Sequence, residues 1–432
     1  MADFFVDVAR GDDGNAGSAA SPVRSIARAI DLSAASPDET GTIFVAAGTY
    51  EPPSENFPLL MRPGYALQGA GRESTLIRFT GEVRTTTADP SRIPPSVTYW
   101  GGEALHAGRA VRDISLRASP VPPGYSCSGM IGITALVDDA VIEDVDILSP
   151  QLPEEFPGDR LPRDVTLEGG FLVAVHIVGA DVTYRHSRVT LSRVGATSGG
   201  SSLLEDIRLE GTELYIESDA RVQNCVWTMS SLVVGTYDPP RCTVYGGSPT
   251  LGPGNFFICS SGALIDCRSG ATPRIDGNTL AAYYGNGIVI RDGARASVTG
   301  NFIGLFYGQR IVDVQRDADP YSVFEDNTFF GGFHWDAIVV EAETDFGGGP
   351  GGSRGGNHFG PVSSSRARWS HPGLRLDIPD GGDVHAANNF WQEGRPSDQM
   401  VVGATTNAIT MPALTDPLAY DDGEAIFRAS FR

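Results

Sequence analysis

Four short stretches in the second half of the chain gather the residues best suited to chemistry. They are Tyr283-Tyr284-Gly285-Asn286, Phe306-Tyr307-Gly308-Gln309-Arg310, Phe333-His334-Trp335-Asp336 and Trp369-Ser370-His371. Each places aromatic rings beside amide, carboxylate or imidazole groups, just before a short apolar run. Flat rings flanked by planar hydrogen-bonding groups suit a sugar, with its CH faces and hydroxyls. Shielding of an exposed corner accounts for the same rings without a ligand. His334 and Asp336 are the best acid/base candidates, because His titrates near neutrality and a carboxylate beside it would orient it. Beyond the apolar runs stand Asp266, Arg291, Asp313, Glu341 and Asp377, which the spacing places near one column. The candidate catalytic set is thus His334, Asp336, Glu341, Asp313 and Arg310. Tyr284, Asn286, Arg291, Tyr307, Gln309, Trp335 and His371 are the candidate substrate contacts. A solvated acidic face is the plainer reading of the column.

The elements that must position these groups are read from a repeat. Gly254-Asn255-Phe256, Gly277-Asn278-Thr279, Gly300-Asn301-Phe302, Asp326-Asn327-Thr328, Gly356-Asn357-His358 and Ala387-Asn388-Asn389 recur, with Asn spacings of 23, 23, 26, 30 and 31. Each period holds three short β-type segments between Gly and Asn corners, which describes a β-solenoid rung. Asn tolerates left-handed backbone angles and its amide can bond the Asn above and below, so these six residues are assigned to structure. Arg112-Asp113-Ile114, Glu143-Asp144-Val145 and Glu205-Asp206-Ile207 fit the same slot with an aliphatic residue in place of Asn. The expectation is an all-β, parallel β-helix in one domain over residues 1–432. Residues 1–50 form its cap and first rung, 51–392 the rungs, and 393–432 a C-terminal cap. Pro90–Pro95 and Pro150–Pro162 read as loops leaving the stack, and Gly347–Gly356 as a flexible insertion. Ser21-Pro22 reads as a helix start, with Val23, Ile26, Ala27 and Ile30 as an apolar stripe covering the first rung.

Composition limits the partners. The chain has 432 residues, 41% of them hydrophobic, with 53 Gly and 29 Pro, enough core and corners for a solenoid. Its 53 acidic residues against 32 basic give −21, which repels a phosphate backbone and argues against nucleic acid. All the basic residues are Arg; there is no Lys, which fits a GC-rich bacterial coding sequence. Cys127, Cys225, Cys242, Cys259 and Cys267 form no CxxC pair and no Cys/His zinc pattern. They read as core thiols, with one bridge among the last four left open. No stretch approaches a membrane span. The start, Met-Ala-Asp-Phe-Phe-Val, is not a secretion signal, so the expected location is the cytoplasm. If a leader has been replaced by the start Met, it is the cell envelope or outside the cell. No cofactor is called for; Asp12, Asp13 and Asn15 could hold Ca²⁺ or simply form a turn.

The opening, from Phe5-Val6-Asp7 through Gly11-Asp12-Asp13-Gly14-Asn15-Ala16-Gly17 and Ser21-Pro22-Val23-Arg24-Ser25-Ile26 to Gly41–Tyr50, resembles the start of pectin-lyase-like right-handed β-helix proteins. The Gly-Asn-x-Phe rungs are similar to repeats of the same superfamily. The resemblance covers the first 50 residues and roughly residues 250–392, and it implies fold far more than activity. It implies a carbohydrate-active protein that binds, and cleaves or modifies, a polysaccharide or oligosaccharide. Lys-dependent lyase chemistry does not carry over to a chain without Lys. The polygalacturonase pattern and the Asp-Pro-His-Asp of alginate epimerases are absent too. A lyase, hydrolase or epimerase using His and carboxylate groups remains. The other readings are a non-catalytic adhesin or scaffold, and an enzyme of small-molecule biosynthesis on the same fold.

Overall fold

The computed structural model describes residues 2–80, 82–85, 98–119, 126–148, 172–190, 192–197, 199–228, 242–259, 262–282, 285–305, 310–331, 338–360, 374–376, 378, 381–391, 400–403, 406–410 and 413. The chain divides into two compact units, Met1–Thr212 with Ser230–Val233, and Glu213–Met229 with Val234–Arg432. Each is a stack of right-handed parallel β-helix rungs, the architecture that the N-terminal resemblance implied.

In the second unit a rung has three strands. Ala263–Cys267, Arg274–Asp276 and Thr279–Ala282 make one, and Asn286–Ile290, Ser297–Thr299 and Phe302–Leu305 the next. Every strand pairs in parallel with its equivalent one rung on. The strands that follow the aromatic stretches form what we term the loop-side sheet. Inward residues stack in columns, since parallel pairing in register puts like positions about 4.8 Å apart. Phe257, Leu280, Ile303, Phe329, Phe359 and Trp391 make one such column. Their rings stack, with Phe257 on Trp227 at 4.1 Å and Phe359 on Trp391 at 4.3 Å. Each fully buried ring contributes about 2–3 kcal/mol of apolar transfer, the main term holding the rungs together.

The Asn ladder is present with one change of register. Asn255, Asn278, Asn301, Asn327, Asn357 and Asn389 are buried. From Asn278 to Asn389 each amide donates to the side-chain oxygen of the next, at 2.9–3.0 Å. Asn389 holds the last place, not Asn388, whose φ of 57° puts it in the corner slot filled earlier by Gly254, Gly277 and Gly300. Left-handed backbone therefore belongs to the residue before the ladder Asn. Asp113, Asp144 and Asp206 occupy that corner in the first unit, at φ 55°, 54° and 51°, followed by buried Ile114, Val145 and Ile207.

Four further expectations are corrected. The helix, which we term α1, spans Ile26–Ala35 with Ser25 as its N-cap, its hydroxyl accepting from Arg28 N. Ser21 is not the cap because Val23 is tied into a bridge with Val6. The buried face of α1 is Ile26, Ala29 and Ser33, turned slightly from the expected stripe. The Gly347–Gly356 insertion is folded back on itself. Asp345, fully buried, accepts the N–H groups of Gly347, Gly349 and Ser353 at 2.9–3.1 Å. Rungs also continue past residue 392, because Met400–Val402 and Thr406–Ile409 each pair in parallel with the rung before. Pro90–Pro95 and Pro150–Pro162 lie outside the described residues. Cys225, Cys242 and Cys267 are buried in the core, and Cys225 Sγ donates to Gln223 O at 3.3 Å.

The start of α1 carries a pH-sensitive contact. Buried Glu55 accepts the N–H groups of Ile26 at 2.7 Å and Ala27 at 3.0 Å. Burial pushes its carboxyl up to about 7 from 4.5, more than the two donors pull it down. A raised acid keeps in the folded chain a proton that the unfolded chain releases. Its contribution is therefore full below pH 4.5 and lost as pH rises through about 7. Urea unfolding of the wild type between those pH values should show a fall of about 3 kcal/mol that Glu55→Gln lacks. Parallel slopes in the two proteins would refute this.

Candidate functional site

The loop-side strands of the second unit repeat an apolar–X–apolar triplet: Leu214-Tyr215-Ile216, Cys242-Thr243-Val244, Ile265-Asp266-Cys267, Ile288-Val289-Ile290, Val312-Asp313-Val314 and Ile338-Val339-Val340. The flanking residues are buried inward, so X faces out. Register aligns Tyr215, Thr243, Asp266, Val289, Asp313, Val339 and Arg375 in one outer column. Two residues further along each strand, Tyr245, Arg268, Arg291, Gln315 and Glu341 form a second.

Two carboxylates in the first column, Asp266 and Asp313, organise the planar donors around them. Asp266 accepts both forks of Arg291, at 3.1 and 2.8 Å, and Arg268 Nε at 2.8 Å with a further bond from its Nη2. Those bonds raise both guanidiniums above their ordinary value, so their charge is permanent. Arg268 also lies 5.4 Å from the centroid of Tyr245, which packs on Tyr215 at 4.8 Å. Asp313 accepts Arg310 Nη1 at 2.6 Å and Gln315 Nε2 at 3.1 Å. The carboxylates are nearly buried, while the Arg side chains stay 22–40% exposed. Planar donors are thus fixed at both ends of these strands, Arg268 and Arg291 beyond the first column and Arg310 before it.

The expected single column of Asp266, Arg291, Asp313 and Glu341 is thus two columns. Arg291 follows Val289 by two residues, and the side-chain period of a strand is two, so both face out but in separate files. Val289 also separates Asp266 from Asp313, two rungs or about 9.6 Å apart between Cα atoms. Asn286 is committed locally, its side-chain oxygen accepting Arg310 N at 3.1 Å. Glu341 is half-buried at the end of the second column. His334, Asp336, Tyr284, Tyr307, Gln309, Trp335 and His371, and Asp377 with them, lie outside the described residues.

The first unit holds two clusters missed in the sequence. Glu143 receives Arg112 at 3.3 Å, Arg185 at 2.9 Å and His186 Nδ1 at 3.4 Å, while Asp206 lies 3.5 Å from His186 Nε2. Glu143, Asp144 and His186 form the one group of three possible metal ligands among the described residues. Two guanidiniums on Glu143 oppose a cation there, so the donor set fits an ion-pair network better than a metal. Asp12 and Asp13 do turn chemistry. Asp13 accepts Arg24 N, Ser25 N and Ser25 Oγ at 2.9–3.0 Å, and Asp12 accepts Gly14 N. The second cluster, around His106 and His176, sits on the loop-side sheet. Its signal was the same triplet, in Leu105-His106-Ala107 and Val175-His176-Ile177.

Comparison with known proteins adds a family and several distant folds. Residues 9–107 match a family described as a protein of unknown function, DUF1565. No curated protein matches the chain. Among solved structures, the A-module of mannuronan C-5 epimerase AlgE4 from Azotobacter vinelandii is 12% identical, with 92% of this chain and 93% of that one covered and a TM-score of 0.44. Tailspike protein 3 of bacteriophage CBA120 is 13% identical over 96% of this chain and 62% of its own, at 0.49. Pectin methylesterase from carrot is 10% identical over 99% and 96%, at 0.30. No helix among the described residues is long and apolar enough to cross a membrane.

Proposed function

We propose that the protein is a polysaccharide-directed β-helix that binds a glycan along the outer face of the loop-side sheet in its second unit. The observation that carries this is the pair of guanidiniums on Arg268 and Arg291, held by buried Asp266 beside the Tyr245 ring, with Arg310 held by buried Asp313 at the opposite end of its strand. Planar donors fixed in advance lose little freedom on binding, and they match hydroxyl pairs and uronate carboxylates. The aromatic stretches enter the same strands and supply rings for sugar faces. With Asp313 already engaged, its role is to aim Arg310 at substrate, which leaves Glu341 as the second carboxylate. His334 and Asp336 remain the acid/base pair proposed for cleavage or modification.

Calorimetric titration with neutral and uronate-bearing oligosaccharides tests binding. The Arg268→Ala/Arg291→Ala double variant is expected to lose about 100-fold in affinity, as two charge-assisted bonds are worth at least about 3 kcal/mol. Equal affinity in wild type and variant would remove this face from the function. Unchanged turnover in both His334→Ala and Asp336→Asn would remove the acid/base assignment.

A further inference from the structure

The loop-side sheet of the first unit carries its own chemistry. Register aligns His106 of strand Thr98–Ala107, Thr134 of Ser126–Ala135, His176 of Leu172–Val178 and Gly195 of Ser192–Thr197 in one outer column. His106 Nε2 lies 2.6 Å from Glu103 Oε2, both side chains about 30% exposed. An ionised carboxylate only accepts, so Nε2 carries a hydrogen toward it, and in the neutral ring Nδ1 then keeps its lone pair. Two rungs away, His176 Nε2 meets Thr197 Oγ1 at 3.2 Å.

Between the two imidazoles stands Thr134, 7% exposed, whose hydroxyl has no hydrogen-bond partner among the described residues. A buried hydroxyl left unpaired costs about 1–3 kcal/mol, which a bound hydroxyl or carboxyl group would remove. The column is open on the far side of His176 as well, where a Cβ at Gly195 would meet nothing nearer than the His176 ring at 3.5 Å. Leu60, 54% exposed, continues the column past His106 and offers an apolar patch to a sugar face. Arg193 aligns with Val173 in the neighbouring column, on the Glu103 side.

We propose that His106, oriented by Glu103, and His176 are a general acid–base pair acting on a polyhydroxylated sugar seated on Thr134. His106 Nδ1 takes a proton from a substrate carbon or a bound water, and the freed electron pair makes the new bond. A substrate C–O bond breaks with its pair on the departing oxygen, which takes a proton from protonated His176. Exchange with water then restores both rings. Thr134 is a positioning residue, as is Glu103.

The choice of sugars rests on the proposed function, but the residues lie in a different unit, so the two can fail separately. The full chain is treated with diethyl pyrocarbonate, with and without neutral and uronate-bearing oligosaccharides, and modified His is mapped by mass spectrometry. At least one sugar is expected to protect His106 and His176 together about tenfold. Turnover of that sugar should fall at least 100-fold in His106→Ala and in His176→Ala. In Glu103→Gln kcat should fall about tenfold with KM held, a split that a general loss of folding would not give. Circular dichroism matching the wild type keeps folding out of the comparison. Lack of protection by every sugar overturns the proposal, and so does wild-type turnover in either His variant.

Discussion

An Asn301→Ala protein is expected to be about 3–5 kcal/mol less stable than the wild type, a large effect for one small side chain. Asn301 is fully buried, and its amide donates to Ile275 O, Thr299 O and Asn327 Oδ1 at 2.9–3.0 Å. Its oxygen accepts both the backbone N–H and the amide of Asn278 at 2.9 Å. Alanine would leave the backbone N–H of Asn278 and one hydrogen of its amide without their acceptor where water cannot reach. Each orphan costs about 1–3 kcal/mol, and the vacated volume adds to it. Ile114 and Val145 show that an aliphatic residue can fill the same slot when the neighbouring rung is built for it. Asn301→Val alone should therefore be nearly as damaging as Ala, since Asn278 and Asn327 still expect an amide. Urea unfolding followed by circular dichroism measures this, and a loss below 1 kcal/mol in both variants would mean that the ladder is ornamental.

The ladder also shows what could be read without coordinates. The spacing of Asn255, Asn278, Asn301, Asn327 and Asn357 was enough for rungs, strand order and the inward columns, because a parallel stack repeats its constraints every turn. It failed by one residue at Asn388-Asn389, where both residues suit a corner and only the backbone angle distinguishes them. The helix cap failed for a similar reason: Ser21 and Ser25 are both good caps, and the Val6–Val23 bridge decides between them. Function was harder. Spacing alone points to outward positions just beyond the apolar runs, whereas the apolar–X–apolar triplet puts the outer residue inside the run, as with Asp266, Asp313, His106 and His176. The rings of the aromatic stretches stood out by type alone. The ion pairs of Asp266 depend on a register that composition does not reveal.

Removing Asp266 should separate its two roles, holding the fold and aiming the guanidiniums. It is nearly buried and accepts four donor nitrogens from Arg268 and Arg291. Breaking a fully buried pair costs about 3–5 kcal/mol, but these Arg side chains are 22% and 30% exposed and can turn to water. Asp266→Ala is therefore expected to cost about 2–3 kcal/mol in urea unfolding, with Asp266→Asn less affected because its oxygen still accepts one fork. The pairwise part is isolated by a double-mutant cycle of Asp266→Ala with Arg291→Ala, where a coupling of about 1–2 kcal/mol is expected. Coupling below about 0.5 kcal/mol would make the pair a crowding of charges with no mutual hold. Affinity should respond more steeply than stability. Without Asp266 two guanidiniums one rung apart repel and lose their fixed planes, so a sugar must order both at its own expense. Asp266→Asn is then expected to weaken binding by about tenfold while remaining folded, and full affinity in that variant would show that the carboxylate serves the fold alone.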